Sequence, residues 1–427
     1  MALVVQKFGG TSVADIECIK KIAARIKAAY DQGDEVIVVV SARSGVTNEL
    51  IARARQVAAK PDQREMDMLL SIGEQETIAL TAMALHSLGV PAVSRTGPQV
   101  GIVTEGPHCD ARIAHIQGGD VLAQLKEGRI VIVAGFQGVN AAGDITTLGR
   151  GSSDLTAVAL ASAFKAQRCE IYTDIEGIYE CDPKCVNDPK KWAHISPETM
   201  LEFAGSGAQV VQARAVQLAA HEELPLWVRS AFVDKPGTLI SSGRPNSLIE
   251  ASFVRGITVD TGYAKIVLER LERKPGIAAS LFEALNDAGI SIGTVHQGEI
   301  SDALINITLT VPLESLHAAS SRLQALLADM GSGRVAAMGP IAKLSVVGTG
   351  LRFDMGIAAT LCRVLAKEAI SIELLSVSET KISAVIPVAV AQKALTLVHE
   401  ALSSSIPPKE ESKGAIVAYP SELLANA

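Results

Sequence analysis

An α/β fold is predicted for this chain: a sandwich built on a mostly parallel sheet over residues 1 to about 240, followed by two ferredoxin-like units. Three observations carry the prediction. Short apolar runs rich in Val and Ile alternate with stretches whose apolar residues recur at helical spacing, the pattern of a sheet with helices on its faces. Aromatic residues make up only 4% of the chain against 48% hydrophobic residues, as in helix-covered parallel sheets. In the last third, Gly276-Ile277-Ala278-Ala279 returns as Gly356-Ile357-Ala358-Ala359 and Ile290-Ser291-Ile292 as Ile370-Ser371-Ile372, both at a spacing of 80 residues.

The first element, Ala2-Leu3-Val4-Val5, is short, apolar and branched, and reads as a buried strand. It leads into Lys7-Phe8-Gly9-Gly10-Thr11-Ser12, after which Ile16, Ile19, Ala23, Ile26 and Tyr30 mark one face of a helix. Thr11 or Ser12 is the expected cap. Paired glycines let backbone N–H groups approach an anion, the helix start adds a positive dipole end, and Lys7 adds a mobile charge. The Walker pattern G-x-x-x-x-G-K-[ST] is absent. Taken alone, the stretch is more plainly a tight turn beside a surface lysine.

Further strands are expected at 36–41, 129–135, 169–174 and 226–230. Helices are expected at 48–59, over a long stretch from about 64 to 88, and at 120–126, 154–165 and 208–221. Ligands of parallel sheets gather at the carboxyl ends of strands, so the polar residues after each strand are the ones to weigh. They are Lys7 with its glycines, the stretch from Ser41 to Thr47, Thr173-Asp174 with Tyr179, and Asp182-Pro183-Lys184. A second Gly-rich helix entry, Thr146-Thr147-Leu148-Gly149-Arg150-Gly151-Ser152-Ser153-Asp154, carries an arginine suited to a carboxylate or phosphate.

The totals narrow the function classes. A length of 427 residues allows about two to four domains. Net charge is −7 with no dense basic stretch, which speaks against nucleic acid. No apolar run approaches the roughly 20 residues of a membrane span, and Lys7 with Gly9-Gly10 interrupts any signal-peptide pattern. The expectation is a cytoplasmic protein that binds neither nucleic acid nor membrane. Cys18, Cys109, Cys169, Cys181, Cys185 and Cys362 mostly stand singly in apolar surroundings, as buried free thiols do. Cys181 and Cys185 lie beside Asp182, but no second Cys/His pair stands at zinc spacing, so no protein metal site is expected.

Residues 241–256 are polar with Gly and Pro and read as a linker. Each copy of the repeat beyond it reads strand, helix, strand, strand, helix, strand. A Gly-led helix entry at an open sheet edge makes a pocket for a small amino acid; a duplication serving dimerisation is the plainer alternative.

The stretches from Lys7 to Ser12, Arg64 to Glu74, Thr147 to Asp154 and Tyr172 to Lys184, in this order and followed by the repeat, resemble the bacterial aspartate kinases of the amino-acid-kinase superfamily. The resemblance implies a three-layer amino-acid-kinase sandwich over 1–245, a linker and first regulatory strand over 246–262, and two ACT domains over 263–338 and 339–427. It also implies interleaving, the first unit being inserted after a strand at about 253–259 of the second. The implied reaction is phosphoryl transfer from ATP with Mg2+ to the β-carboxylate of L-aspartate, the first step toward lysine, threonine, methionine and diaminopimelate. A carboxylate acceptor is already ionised at neutral pH, so no general base is needed and catalysis falls to positive charge, oriented donors and alignment.

On that resemblance Lys7 stabilises the transferring phosphoryl group, Asp154 orients Lys7, and Gly9 and Gly10 donate backbone N–H groups, with Phe8 and Ser12 in the same nucleotide-binding stretch. Arg150 clamps the substrate α-carboxylate, Glu74 takes its ammonium, and Ser41, Thr47, Gly151, Ser152 and Ser153 line the pocket. Thr173, Asp174, Tyr179, Asp182, Lys184 and Gln209 belong to the nucleotide site. An effector, lysine and/or threonine, is implied at Lys274, Pro275, Gly276, Ile277, Ala278 and Gln297, in a homodimer or higher homo-oligomer whose ACT units pair across subunits. The chain departs from the family pattern at Gln209, where a lysine is expected, at Ser152 for a glycine, and at Gly293 and Gly298 for an Asp and an Asn. Phe353-Asp354-Met355-Gly356 likewise replaces a Ser-His-Pro-Gly-like turn. Weaker ATP binding and weakened or altered feedback are the corresponding expectations. The competing readings are a kinase for N-acetylglutamate, glutamate or a nucleoside monophosphate, and a non-catalytic amino-acid sensor that kept the fold.

Overall fold

A computed structural model of the chain describes residues 2–208, 210–242 and 253–406, so Gln209 and most of the expected linker lie outside the described residues. The first half runs, in chain order, β1 (Leu3–Phe8), a 3₁₀ turn (Gly10–Val13), α1 (Ile16–Asp31), β2 (Glu35–Val40), α2 (Val46–Val57), α3 (Gln63–Leu70), α4 (Ile72–Ser87) and β3 (Ala92–Arg95). There follow α5 (Gly97–Val100), β4 (Ile102–Glu105), β5 (Arg112–Ile116), α6 (Val121–Lys126), β6 (Ile130–Ala134), β7 (Gln137–Val139), β8 (Ile145–Thr147) and α7 (Ser153–Ala163). It ends with β9 (Arg168–Thr173), β10 (His194–Ile195), α8 (Pro197–Ala204), α9 (Ala213–His221), β11 (Leu226–Ser230) and β12 (Thr238–Ile240).

An eight-stranded sheet in the order β10-β12-β11-β9-β1-β2-β6-β3 is parallel at every junction except β11–β12. Alternate residues of its central strands feed two cores, as the period of two requires. Val36, Val38 and Val40 of β2 pack with Ile19, Ile22 and Ile26 of α1 and Leu85 of α4. Ile37 and Val39 pack on the other side with Leu155 and Val158 of α7 and Val216 of α9. Helices, sheet and helices thus form three layers. A small sheet of β5, β4, β7 and β8 lies beside them; its short strands, with little apolar content, left no mark in the sequence reading.

Three local expectations are corrected. Asp15, not Thr11 or Ser12, caps α1 by accepting from the Cys18 N–H, because the 3₁₀ turn intervenes. The long helix expected at 64–88 is two helices meeting at Ser71, whose hydroxyl donates to the Met68 carbonyl at 2.8 Å. The helix expected from 208 begins only at Ala213, after a loop in which Gly207 takes φ +105°.

The second half contains β13 (Phe253–Glu272), α10 (Ile277–Asp287), β14 (Val295–Ser301), β15 (Leu304–Pro312) and α11 (Leu316–Met330). It continues with β16 (Arg334–Thr349), α12 (Met355–Lys367), β17 (Leu374–Val377), β18 (Lys381–Pro387) and α13 (Ala391–Leu402). They form one antiparallel six-stranded sheet, β14-β15-β13-β16-β18-β17. β13 is long enough to serve both repeats: residues 254–260 pair with the end of β16, whereas residues 263–272 lie beside β15. The first repeat has its own core around Leu268, Leu281 and Ile307. The core of the second, including Leu344, Leu361 and Leu395, is continuous with that under α7 and α9.

Candidate active site

Parallel register places the ends of three strands on one edge. Phe8 lies opposite Val40 of β2 and Tyr172 of β9, so Gly9, Ser41 and Thr173 emerge together. On this edge Lys7 Nζ stands 2.6 Å from Asp154 Oδ1, their side chains only 11% and 8% exposed. Asp154 belongs to the first turn of α7, and its other oxygen accepts the Gln212 backbone N–H at 3.1 Å. The Gln212 side chain donates to Ser152 Oγ at 2.9 Å and to the Arg150 carbonyl at 3.3 Å, tying the ion pair to the arginine loop.

The glycine turn differs in detail from the expectation. The Gly9 N–H is donated to the Tyr172 carbonyl at 3.2 Å and stitches β1 to β9 instead of facing a ligand. The amides of Gly10 and Thr11, heading the 3₁₀ turn, are the ones left for an anion. Phe8 is fully buried, stacked on Tyr172 at 4.8 Å between ring centres, and Ser12 is fully buried as well, its hydroxyl without a hydrogen-bond partner among the described residues.

A cavity of about 220 Å³ opens between the loops after β2 and β8. Ser41, Thr47, Glu74, Arg150, Gly151 and Ser153 line it, joined by Ala42, Asn48 and Phe136, which sequence reasoning missed. Ser152 is not in the lining: its hydroxyl turns back to the Leu148 and Gly149 carbonyls at 2.7 and 2.6 Å, closing the loop on itself. Glu74, in the first turn of α4, accepts the Ala42 N–H on Oε1 at 2.9 Å. That approach depends on Gly73, where a Cβ would stand 2.7 Å from that of Ala42. Its Oε2 is buried and has no hydrogen-bond partner among the described residues. Burial pushes the Glu74 carboxyl up from 4.5 to about 7, against the opposing pull of the Ala42 N–H. The Arg150 loop is anchored from below by Asp67, fully buried, which takes the Thr147 hydroxyl at 2.5 Å, the Cys109 N–H at 3.1 Å and His108 Nδ1 at 2.7 Å. No sequence signal separated Asp67 from an ordinary helix carboxylate.

A second cavity, of about 440 Å³, gathers Thr173, Asp174, Tyr179, Asp182 and Lys184 on one wall. Ala208 and Val210 flank the position of Gln209, which is itself outside the described residues. Its floor was not foreseen: Ile257, Thr258 and Val259 of β13 and Leu395 of α13 come from the second half of the chain. Asp154 follows Ser153, which lines the smaller cavity, and Lys7 lies two residues before Gly9, whose amide meets the Tyr172 carbonyl next to Thr173 of the larger one. Among the described residues no three His, Cys, Asp or Glu side chains gather as a metal cage. Burial pushes the Cys181 thiol up to about 12, and Cys181 and Cys185 are both free.

The residues expected to hold an effector surround the entry to α10 and the edge strand β14. Lys274 pairs with Glu272 at 2.7 Å, and Gly276 heads α10 at φ +91°. Only Ala278 and Gln297 of the set line the apolar cavity beneath α10, which at about 30 Å³ has room for little more than a water. Lys274, Pro275, Gly276 and Ile277 lie outside it. A Cβ at Gly293 would stand 2.6 Å from Thr310 Oγ1 and 3.0 Å from the Tyr263 ring, so an aspartate there would need these two side chains to move.

Comparison with known proteins agrees with this layout. Residues 2–230 match the model of the amino acid kinase family and residues 344–402 that of an ACT domain. The chain is 42% identical over 410 residues to an aspartokinase of Pseudomonas aeruginosa, covering 96% of this chain and all of that one. It is 43% identical over 404 residues to an aspartokinase of Mycolicibacterium smegmatis, covering 94% and 96%. Among solved structures it resembles E. coli aspartokinase III in complex with aspartate and ADP, with a TM-score of 0.81 and 25% identity over 94% of this chain and 100% of that one. No helix among the described residues is long and apolar enough to cross a membrane.

Proposed function

The chain belongs to the aspartate kinases of the amino acid kinase family, and from that premise we propose which of its own groups carry phosphoryl transfer to the β-carboxylate of L-aspartate. The supporting observation is two groups of opposite charge that line the smaller cavity without a protein partner. Glu74 Oε2 is buried without a donor among the described residues, and the Arg150 guanidinium, exposed on the same cavity, pairs with no carboxylate among them. A zwitterion answers both: its ammonium meets Glu74 and its α-carboxylate the arginine fork. N-Acetylglutamate has no ammonium to offer Glu74, which disfavours that substrate.

With the backbone of aspartate so held, its side-chain carboxylate points at the strand ends. It is already ionised, so the barrier is the approach of one anion to another. Lys7 places its ammonium between the two, held by Asp154, which Gln212 fixes in turn. The amides of Gly10 and Thr11 add oriented donors on the same edge. ATP occupies the larger cavity, with Tyr179 beside the base and Lys184 reaching phosphate. Asp174 and Asp182 suit a magnesium ion that arrives on the phosphates and takes one or two protein carboxylates, neutralising phosphate charge when bound.

Lysine and/or threonine acting at the ACT units, a cytoplasmic location, and a homodimer formed through the exposed edge strand β14 complete the proposal. The test is ATP consumption coupled to hydroxamate formation over aspartate, N-acetylglutamate, glutamate and UMP. Turnover with aspartate alone is expected; equal turnover with N-acetylglutamate would overturn the assignment of Glu74.

A further inference from the structure

The last helix of the regulatory half is built into the wall of the nucleotide cavity. Gln392, Leu395, Thr396 and His399 of α13 fall on one helical face, and that face meets the loop that follows β9. Leu395 lines the cavity directly. Thr396 Oγ1 donates to the Cys185 carbonyl at 3.2 Å, and His399 Nε2–H donates to Glu180 Oε1 at 3.0 Å. The His399 and Glu180 side chains are 10% and 8% exposed.

Glu180 stands between Tyr179 and Cys181, both of which face the cavity. Its Oε1 also accepts the Lys190 N–H at 3.0 Å, and its own N–H donates to the Lys190 carbonyl at 2.9 Å. Its carbonyl accepts the Ile257 N–H of β13 at 2.7 Å. Three segments meet at this residue: the nucleotide loop, the strand that floors the cavity, and α13. Removing the imidazole would take one of the two donors that the described residues supply to a nearly dry carboxylate. The loop could recover a donor only by moving the residues on either side of Glu180, which are the cavity wall.

We propose that His399 is a positioning residue for nucleotide binding, holding the wall formed by Tyr179, Cys181 and Asp182 in place through Glu180. The proposal deepens the assignment of the larger cavity to ATP and rests on it. It makes α13 part of the nucleotide site, so any displacement of the second regulatory unit reaches ATP affinity without crossing the aspartate cavity.

The alternative is that the pair is only adhesive between the two halves. Steady-state kinetics on the full chain separates the two. For His399→Leu the proposal expects the KM for ATP to rise about tenfold, the equivalent of one buried hydrogen bond to a charged group, with kcat and the KM for aspartate almost unchanged. His399→Gln, which keeps an N–H donor, should restore most of the ATP affinity. Simple adhesion predicts a lower melting temperature and less active enzyme, with both KM values intact, and that result overturns the proposal. Should His399→Leu fail to fold, His399→Phe, which keeps a ring but no N–H donor, decides: a raised KM for ATP alone supports the proposal and an unchanged one rejects it. Lys184→Ala serves as the reference variant. If it leaves the KM for ATP untouched, the assignment of the cavity itself falls; if it raises that KM while His399→Leu does not, only the role of His399 falls.

Discussion

Glu74 carries a cost that substrate binding should remove, and the cost has a pH signature. Burial raises its carboxyl from 4.5 to about 7, while Oε2 has no donor among the described residues. Between those two values the folded protein keeps a proton that the unfolded chain has released. Stability of the unliganded enzyme therefore falls as pH climbs through this window, and the whole cost is present above pH 7. At about 1.4 kcal/mol per factor of ten it amounts to roughly 3 kcal/mol. Glu74→Gln keeps the shape and removes the titration. The variant should melt several degrees above wild type at pH 8 and close to it near pH 5, while binding aspartate poorly at both. On the proposed assignment aspartate would place its ammonium against Oε2 and favour the ionised form, so binding at pH 6 should expel close to one proton, and at pH 8 almost none. Titration calorimetry in two buffers of different ionisation enthalpy reads that number directly. Equal proton release at the two pH values, or parallel melting of wild type and variant from pH 5 to 8, would refute the reasoning.

Asp154→Asn removes the charge that holds Lys7 and should lower kcat by about 10²- to 10³-fold, with both KM values within a few fold, in the coupled assay. Gln209→Lys restores a positive charge between two residues of the nucleotide wall and should lower the KM for ATP; an unchanged value would place residue 209 away from the nucleotide. Because Gly293 and Gly298 carry no polar side chain and the Thr310 and Tyr263 side chains crowd the first of them, feedback through the first regulatory unit should be weak, and sub-millimolar inhibition by lysine plus threonine would contradict this.

Much of the catalytic layout was legible because it depends on strand ends. The runs at 36–40 and 130–134 are continuously apolar since both faces of the sheet are covered, and the residues after these strands and after the one at 169–174 share an edge by parallel register alone. What escaped was set by contacts distant in sequence. Nothing local marks Ser71 as the end of one helix and the start of another, although the break lets Gly73 approach Ala42 and brings Glu74 to the cavity. The Gly9 amide looked like a phosphate donor because its partner, the Tyr172 carbonyl, is remote in the chain. Gln212, which links Asp154 to the Arg150 loop, has no motif, and its role exists only once α9 has packed on α7. The regulatory floor of the nucleotide cavity was hidden for the same reason: Ile257 and Leu395 read as ordinary core residues of their own sheet.

The buried charges of the site share a physical logic. A buried ion pair adds little to stability once desolvation is counted, and an ionised Glu74 subtracts from it. The protein nevertheless concentrates Lys7, Asp154 and Glu74 around two neighbouring cavities, each largely withdrawn from water. Withdrawal from water is what makes a single ammonium effective against two approaching anions, because its field there is far less screened than at an exposed site. The same withdrawal leaves Glu74 short of a donor until an amino acid supplies one. On the proposed roles, charge stabilisation at Lys7 and selectivity for a free ammonium at Glu74 would have one cause, the burial of these side chains. A substitution that admits water there, such as Phe136→Ala in the wall of the smaller cavity, should degrade both together: kcat falls while discrimination between aspartate and its N-acetyl derivative narrows. If discrimination held while kcat fell, the two properties would have separate origins.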